Sequence, residues 1–241
     1  MADTVHDLNQ PIGALIDIAV REFGEVDFET VTVGDVSLEV LQIKHMQKYL
    51  DKLMDKSRSG KQITLPLWAK VWPSCLVLGY TLTRFPFAKG ASILEVGAGC
   101  AVNGMVMASL GYDVAVSDIE PFALLFSKIN VLKNGLEDKV ALHRADFTCD
   151  SMDCRFDYII GCEVLYEESA YEPVADFMDE NLAETSSAEI LLAMDQKRQG
   201  RKFFDRASEK FMMMKSAANY KDEKTGEENV VNLFRLKRKQ S

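Results

Sequence analysis

Residues 93–104 read ILEVGAGCAVNG, and the fold turns on them. Ser92 to Val96 is a short apolar run of strand type, and the MVMASLG that begins at Met105 is helical. Glycines at such a strand-to-helix turn adopt backbone conformations closed to other residues. They also let a ligand approach the main chain. A second short run, Asp113 to Ser117, ends at Asp118, about 20 residues after Gly97. A carboxylate at that place suits the two hydroxyls of a ribose.

The chain on either side repeats this alternation. Pro121–Lys133 is helical, with Asn134-Gly135 as its stop, and Val140–His143 is a third short strand. Tyr158–Cys162 is a fourth and Ile190–Met194 a fifth, with helical patterns over Pro173–Leu182 and Gly200–Lys210. Phe211–Lys215 and Val230–Leu236 are two late strands separated by the polar Asn219–Asn229. With no helix between them they should pair antiparallel. The pattern predicts an α/β fold: a Rossmann-like, seven-stranded, mostly parallel sheet with helices on both faces and an antiparallel final strand. Ahead of it, residues 66–85 open with Trp68, Trp72 and Pro73 and continue as an apolar helix. Residues 11–30 read as an amphipathic helix, 31–43 as a hairpin about Gly34-Asp35, and 44–58 as a charged helix ending at Ser59-Gly60. Two parts are expected: an N-terminal helix and β-hairpin extension over 1–60, and a main domain over 61–241.

Composition narrows the classes. The 241 residues are 47% hydrophobic and 27% charged, a globular balance that excludes disorder and low complexity for the bulk of the chain. A net charge of −9 makes nucleic acid a poor partner. The basic cluster Arg235, Lys237, Arg238 and Lys239 reads as a solvated end. No apolar run approaches the roughly 20 residues that span a bilayer. Met1 to Gln10 lacks the basic and apolar regions of a signal peptide, so no membrane association is expected. Five cysteines without a CxxC pair, and three histidines, show no metal-ligand spacing, so no metal is expected. Reduced thiols in the cytoplasm are the simplest reading. Oligomeric state is not legible.

The loop itself selects a ligand class. The nicotinamide fingerprint asks for a third glycine at the sixth position of G-x-G-x-x-G. That position is Val102, and the glycine comes late, at Gly104. Glu95, just ahead of the loop, adds negative charge that is unfavourable to pyrophosphate and acceptable to a cation. S-adenosylmethionine has the required parts: an adenosine, a ribose, an ammonium and a sulfonium. Any tight strand-to-helix turn can use glycines, so the weight rests on Glu95, Gly97, Gly99 and Asp118 together in one βαβ unit.

Four segments carry a resemblance to a known family. LWAKVWPSCLVLGYTL (67–82), ILEVGAGCAVNG (93–104), VSDIEP (116–121) and DYIIGCEVLY (157–166) resemble motifs of the class I, seven-strand S-adenosylmethionine-dependent methyltransferases. The first and last resemble more narrowly the protein-lysine methyltransferases called methyltransferase family 16. The similarity runs from about Val31 to the last strand. One departure stands out: where the family has the second glycine of a Gly-x-Gly, this chain has Ala101, preceded by Cys100.

The resemblance implies roles. Glu95, Gly97 and Gly99 would line the methionine and ribose side of S-adenosylmethionine. Asp118 would bind the ribose hydroxyls, and Ile119 would cover one adenine face. Asp146 and Phe147 would contact the adenine amino group and ring, and Trp72 would pack near the cofactor. Glu163 and Tyr166, at the C-terminal end of the fourth strand, would stand near the transferred methyl. The implied activity is methyl transfer to a lysine of a protein substrate, with S-adenosylhomocysteine as product. A lysine acceptor must first lose a proton, because its ordinary pKa is about 10.4. Glu163 could hold the ammonium, but a carboxylate raises an amine's pKa rather than lowering it. Arg198 and Arg201 could line the acceptor entrance or begin a solvated helix. Two alternatives stay open: a small-molecule N- or O-methyltransferase, and a non-catalytic S-adenosylmethionine-binding protein.

Overall fold

Helix α1 (Ile12–Phe23) stops where Gly24 takes a left-handed φ of 83°. The amphipathic opening is therefore shorter than its expected span to residue 30. Strand β1 (Val26–Val33) follows at once and pairs antiparallel with β2 (Val36–Ile43) about Gly34-Asp35. The hairpin lies where it was expected, but β1 begins well ahead of Val31. Most of β1 is at least partly exposed, so no clean apolar alternation marks its start.

The structure, a computed structural model, describes residues 5–58, 60, 63, 65–221 and 226–239. Residues 1–4, and residues 59 and 61 beside the expected boundary of the extension, lie outside the described residues, as do 222–225 of the late polar stretch.

Helix α2 (Met46–Arg58), a single 3-10 turn at Leu67–Ala69 and α3 (Pro73–Leu82) lead into the sheet. Then come β3 (Ser92–Val96), α4 (Val102–Ser109), β4 (Asp113–Asp118), α5 (Pro121–Lys133), β5 (Val140–Arg144) and β6 (Tyr158–Cys162). The chain continues through α6 (Tyr171–Asn181), β7 (Glu189–Asp195), α7 (Arg201–Lys210), β8 (Phe211–Lys221) and β9 (Glu228–Arg238). The seven strands lie in the order β5-β4-β3-β6-β7-β9-β8. The strands from β5 to β7 are parallel, and β9 runs antiparallel between β7 and β8. This is the α/β architecture expected from the strand–helix alternation.

The last two strands are longer than their apolar stretches. β8 and β9 pair from Phe211 opposite Arg238 to Lys221 opposite Glu228, whereas β7 covers β9 only from Val231 to Lys237. The far end of the ribbon lacks that third strand and carries polar residues, which is why its sequence reads as a loop.

Alternation along the strands sorts the core onto two faces. Ile93, Val114, Val116 and Ile160 pack with α3 and α4, while Leu94, Val96, Ala115 and Ile159 pack with α6 and α7. Glu95 shares the side of Ile93 and so points at α4. The N-terminal elements are not loosely attached. Leu15, Ala19 and Phe23 of α1 and Leu41 and Ile43 of β2 bury against Leu125, Phe126 and Ile129 of α5. Asn130 of α5 ties them further: its Oδ1 accepts from Leu41 N–H at 2.8 Å, and its Nδ2 donates to Cys100 O at 3.1 Å. One buried amide thus links the hairpin to the glycine loop. No helix among the described residues is long and apolar enough to cross a membrane.

Candidate active site

The loop after β3 is shaped by three left-handed residues: Gly97 (φ 58°), Gly99 (φ 55°) and Ala101 (φ 59°). A Cβ on Gly99 would lie 2.7 Å from the main-chain oxygen of Trp68, so the loop seats against the 3-10 turn at full contact. Alanine at 101 costs roughly 1–2 kcal/mol for its backbone. Its methyl is fully buried against the α3–α4 core, and burying one carbon returns about 0.8 kcal/mol. Loop carbonyls are held from α5: Ser127 Oγ donates to Gly99 O at 2.7 Å, beside the Asn130 bond to Cys100 O.

Two buried carboxylates face the loop. Glu95 Oε2 accepts from Gly104 N–H at 2.7 Å, and a Cβ on Gly104 would sit 2.7 Å from that same oxygen. The late glycine of the motif is thus where the helix backbone meets Glu95. Burial pushes the Glu95 carboxyl up to about 8, against the opposing pull of the Gly104 N–H. Asp118 Oδ2 accepts from Gly99 N–H at 2.9 Å and Oδ1 from Glu120 N–H at 3.0 Å. Its carboxyl is also raised by burial, with those backbone donors working the other way. Cys100 is buried beside them, its thiol pushed up to about 12 chiefly by desolvation.

The C-terminal end of β6 holds the third carboxylate. Glu163 is left-handed at φ 55°, a conformation uncommon for a non-glycine residue. It is held from every side. Its N–H donates to Ala193 O at 2.9 Å. Its Oε1 accepts from Ser74 Oγ at 2.6 Å and from Asp195 N–H at 2.7 Å, and its Oε2 pairs with Arg198 Nε at 3.0 Å. Such strain persists only where surroundings over-determine it, commonly at functional sites. Burial raises the Cys162 thiol next to it, and a hydrogen bond with Cys75 adds to the effect.

One cavity of about 500 Å³ joins these ends. Glu95, Gly97, Gly99, Asp118 and Ile119 line it at the loop. Phe147, Trp72, Glu163 and Tyr166 line the rest. Trp72 donates from Nε1 to Leu67 O at 3.0 Å, and Tyr166 stands at the rim, 59% exposed. Asp146 is not among the lining residues. Its carboxylate turns to Thr148, accepting from N–H at 2.9 Å and Oγ1 at 2.6 Å, and these bonds hold it below its ordinary value. The two arginines separate: Arg198 lines the cavity, while Arg201 is exposed and pairs with Asp205. Sequence reasoning assigned no site role to Trp68, Ser74 or Cys75. All three lie within the 67–82 segment that carries the resemblance, which is the signal that could have found them.

Known proteins share this arrangement of chain. The sequence model of the lysine methyltransferase family matches residues 61–214. Protein N-lysine methyltransferase METTL21A of Xenopus tropicalis is 28% identical over 131 residues, 52% of this chain and 59% of that protein. The protein of the same name from Danio rerio is 32% identical over 111 residues, 43% of this chain and 50% of that one. The chain spans about half the length of the curated relatives it matches. Among solved structures, the precorrin-6y C5,15-methyltransferase of Geobacter metallireducens has a TM-score of 0.57 at 19% identity. That alignment covers 68% of this chain and 88% of the other, a likeness of fold.

Proposed function

This chain belongs to the lysine methyltransferase family, and on that premise we propose that it transfers a methyl group from S-adenosylmethionine to a lysine amine of another protein. The observation that carries the proposal is the single cavity running from the glycine loop to Glu163. A donor seated at one end and an acceptor at the other would share one continuous space.

The residues present suit this cofactor. Glu95 and Asp118 offer buried carboxylates that accept from backbone N–H groups, a setting that favours a cationic, hydroxyl-bearing guest. Gly97 and Gly99 keep side chains out of the loop face. In this reading Asp118 takes the ribose hydroxyls, Glu95 faces the amino-acid part, and Ile119 and Phe147 cover the adenine. Asp146 acts through the turn it caps, setting Phe147 against the cavity, and Trp72 closes one wall. When bound, the cofactor supplies a methyl on a sulfonium, open to direct displacement and leaving S-adenosylhomocysteine.

The chain's own task is to present a neutral amine in line with that methyl. A carboxylate alone would keep a lysine protonated. Arg198 offsets the charge of Glu163, and the apolar wall of Val71 and Val164 desolvates the amine; both effects lower its pKa. Glu163 and Arg198 thereby position the acceptor, and Tyr166 offers a ring face at the rim. We assign residues 61–241 to the methyltransferase domain and 1–60 to an extension that braces it. Five unpaired cysteines fit a reducing, cytoplasmic setting, and the −9 charge argues against nucleic acid.

The test is incubation of the protein with methyl-labelled S-adenosylmethionine and an extract from cells lacking it. Label in discrete protein bands, released as methyl-lysine on hydrolysis and lost in Asp118→Ala, is expected. Label confined to small molecules would replace the protein acceptor with a metabolite. No turnover despite cofactor binding would leave a binding protein.

A further inference from the structure

The cavity does not end at Glu163. Lys70, Val71, Trp72, Glu163 and Arg198 also wall a second, polar groove of about 660 Å³. Its other side is built from the ends of three strands: Asp195 at the end of β7 with Lys197 just after it, Tyr220 of β8, and Asn229 and Val231 of β9. Trp72, Pro73 and Val231 give it apolar contacts on both sides.

Its charges are not balanced alike. The carboxylates are engaged. Glu163 accepts from Ser74, Asp195 N–H and Arg198; Asp195 Oδ1 accepts from Lys197 N–H at 2.7 Å; Glu227 is not free. The ammonium groups are otherwise placed. Lys70 lies 4.6 Å over the Trp72 ring, and neither Lys70 nor Lys197 makes an ion pair among the described residues. Arg198 keeps its remaining guanidinium N–H groups beside them. Over the whole groove three cations, Lys70, Lys197 and Arg198, stand against three carboxylates, Glu163, Asp195 and Glu227. At the junction with the cavity Lys70 and Arg198 meet Glu163 alone, and the surplus there is positive.

We propose that this groove receives an extended segment of the methyl-accepting protein bearing an aspartate or glutamate beside the target lysine. The proposal rests on the lysine-methyltransfer reading above and adds the substrate's local chemistry. The geometry divides the labour. The target amine enters the cavity past Trp72 and the Glu163–Arg198 pair, while a neighbouring carboxylate meets Lys70 or Lys197. Cations at the junction repel a lysine still carrying its proton, so they select the pair of charges rather than lysine alone. A polyanion does not fit: Asp195 and Glu227 line the same walls.

The experiment uses the full chain, methyl-labelled S-adenosylmethionine and a peptide library with a fixed central lysine and randomised flanks. Acidic residues should be enriched beside the methylated lysine. On single peptides, an adjacent glutamate in place of alanine should raise kcat/KM about fivefold, mostly through KM and less so in high salt. Lys197→Glu or Lys70→Glu should erase or invert that preference, while thermal stabilisation by S-adenosylhomocysteine shows that the variant folds and binds. No acidic enrichment, or a preference that neither charge reversal moves, overturns the proposal. Label in extract proteins but in no library peptide overturns it too, because a folded surface is then being read. Absence of label everywhere, with S-adenosylhomocysteine still bound, overturns the methyltransfer reading itself and this proposal with it.

Discussion

The two ends of the cavity hold their carboxylates in opposite ways. At the loop, Glu95 and Asp118 accept from backbone N–H groups, and neither makes an ion pair among the described residues. At the end of β6, Glu163 accepts a hydroxyl, a backbone N–H and a guanidinium. Backbone donors satisfy lone pairs without supplying a counter-charge, whereas a guanidinium satisfies and neutralises together. One end is thus prepared for a cation that arrives from outside. The other has been neutralised from within, which suits a guest that must be uncharged when it reacts.

The largest expected effect breaks the loop end. In Gly99→Ala the new Cβ would meet the Trp68 main-chain oxygen at 2.7 Å from a left-handed backbone. Backbone strain and overpacking together should cost about 2–4 kcal/mol, lowering the melting temperature by roughly 5–15 °C. Gly97→Ala shares the strained φ but meets a movable Val164 methyl at 3.1 Å, so it should fall less. Equal losses in thermal melts would mean that contact with the Trp68 turn does not govern the loop.

The next effect sharpens the contrast at the other end. Arg198→Ala leaves the Glu163 charge with Ser74 and one backbone N–H. Because Arg198 is one-third exposed, the cost in stability should be modest, about 1–2 kcal/mol. Activity should respond differently. The acceptor amine now faces an uncompensated carboxylate, its pKa rises, and the rising limb of kcat/KM against pH moves to higher pH. S-adenosylhomocysteine affinity should be unchanged, and Glu163→Gln added to Arg198→Ala should return the limb towards its starting position. A pH profile that stays in place while stability falls would reduce the pair to a structural brace.

That pair also marks how far the sequence could be read. Glu95, Gly97, Gly99, Asp118 and Glu163 stand at strand ends or in the loop following one. Parallel strands bring those ends to one edge, so local patterns and topology sufficed to place them along one cavity. Arg198 is joined to Glu163 by the pairing of β6 with β7, and neither segment announces the other. Ser74 reaches the same carboxylate from α3, and Asn130 binds the hairpin to the loop across most of the domain. Such bridges have no spacing rule. Asp146 shows the converse: its position after β5 is where the resemblance puts a cofactor contact, yet Thr148 takes its carboxylate. The projecting end of the β8–β9 ribbon was illegible because it buries nothing, and apolar alternation reports only burial.

The smallest and most diagnostic effect lies in pH. With Glu95 raised to about 8, the folded, ligand-free protein keeps that carboxyl protonated where the unfolded chain has already lost the proton. The folded state binds more protons between an ordinary carboxylate value and about 8, so this group makes stability fall as pH rises through that window. A cationic guest favours the carboxylate and reverses the balance: binding expels the proton. Affinity for S-adenosylmethionine should therefore climb about tenfold per pH unit up to about 8 and level off above it. Calorimetry in buffers of different ionisation enthalpy should count the proton released below that point. Glu95→Gln should flatten both curves, weaken the cofactor, and spare the ligand-free protein its loss of stability across that window. Affinity that is level from pH 6 to 8 in the wild type would remove the cation from Glu95, and with it the contrast between the two ends.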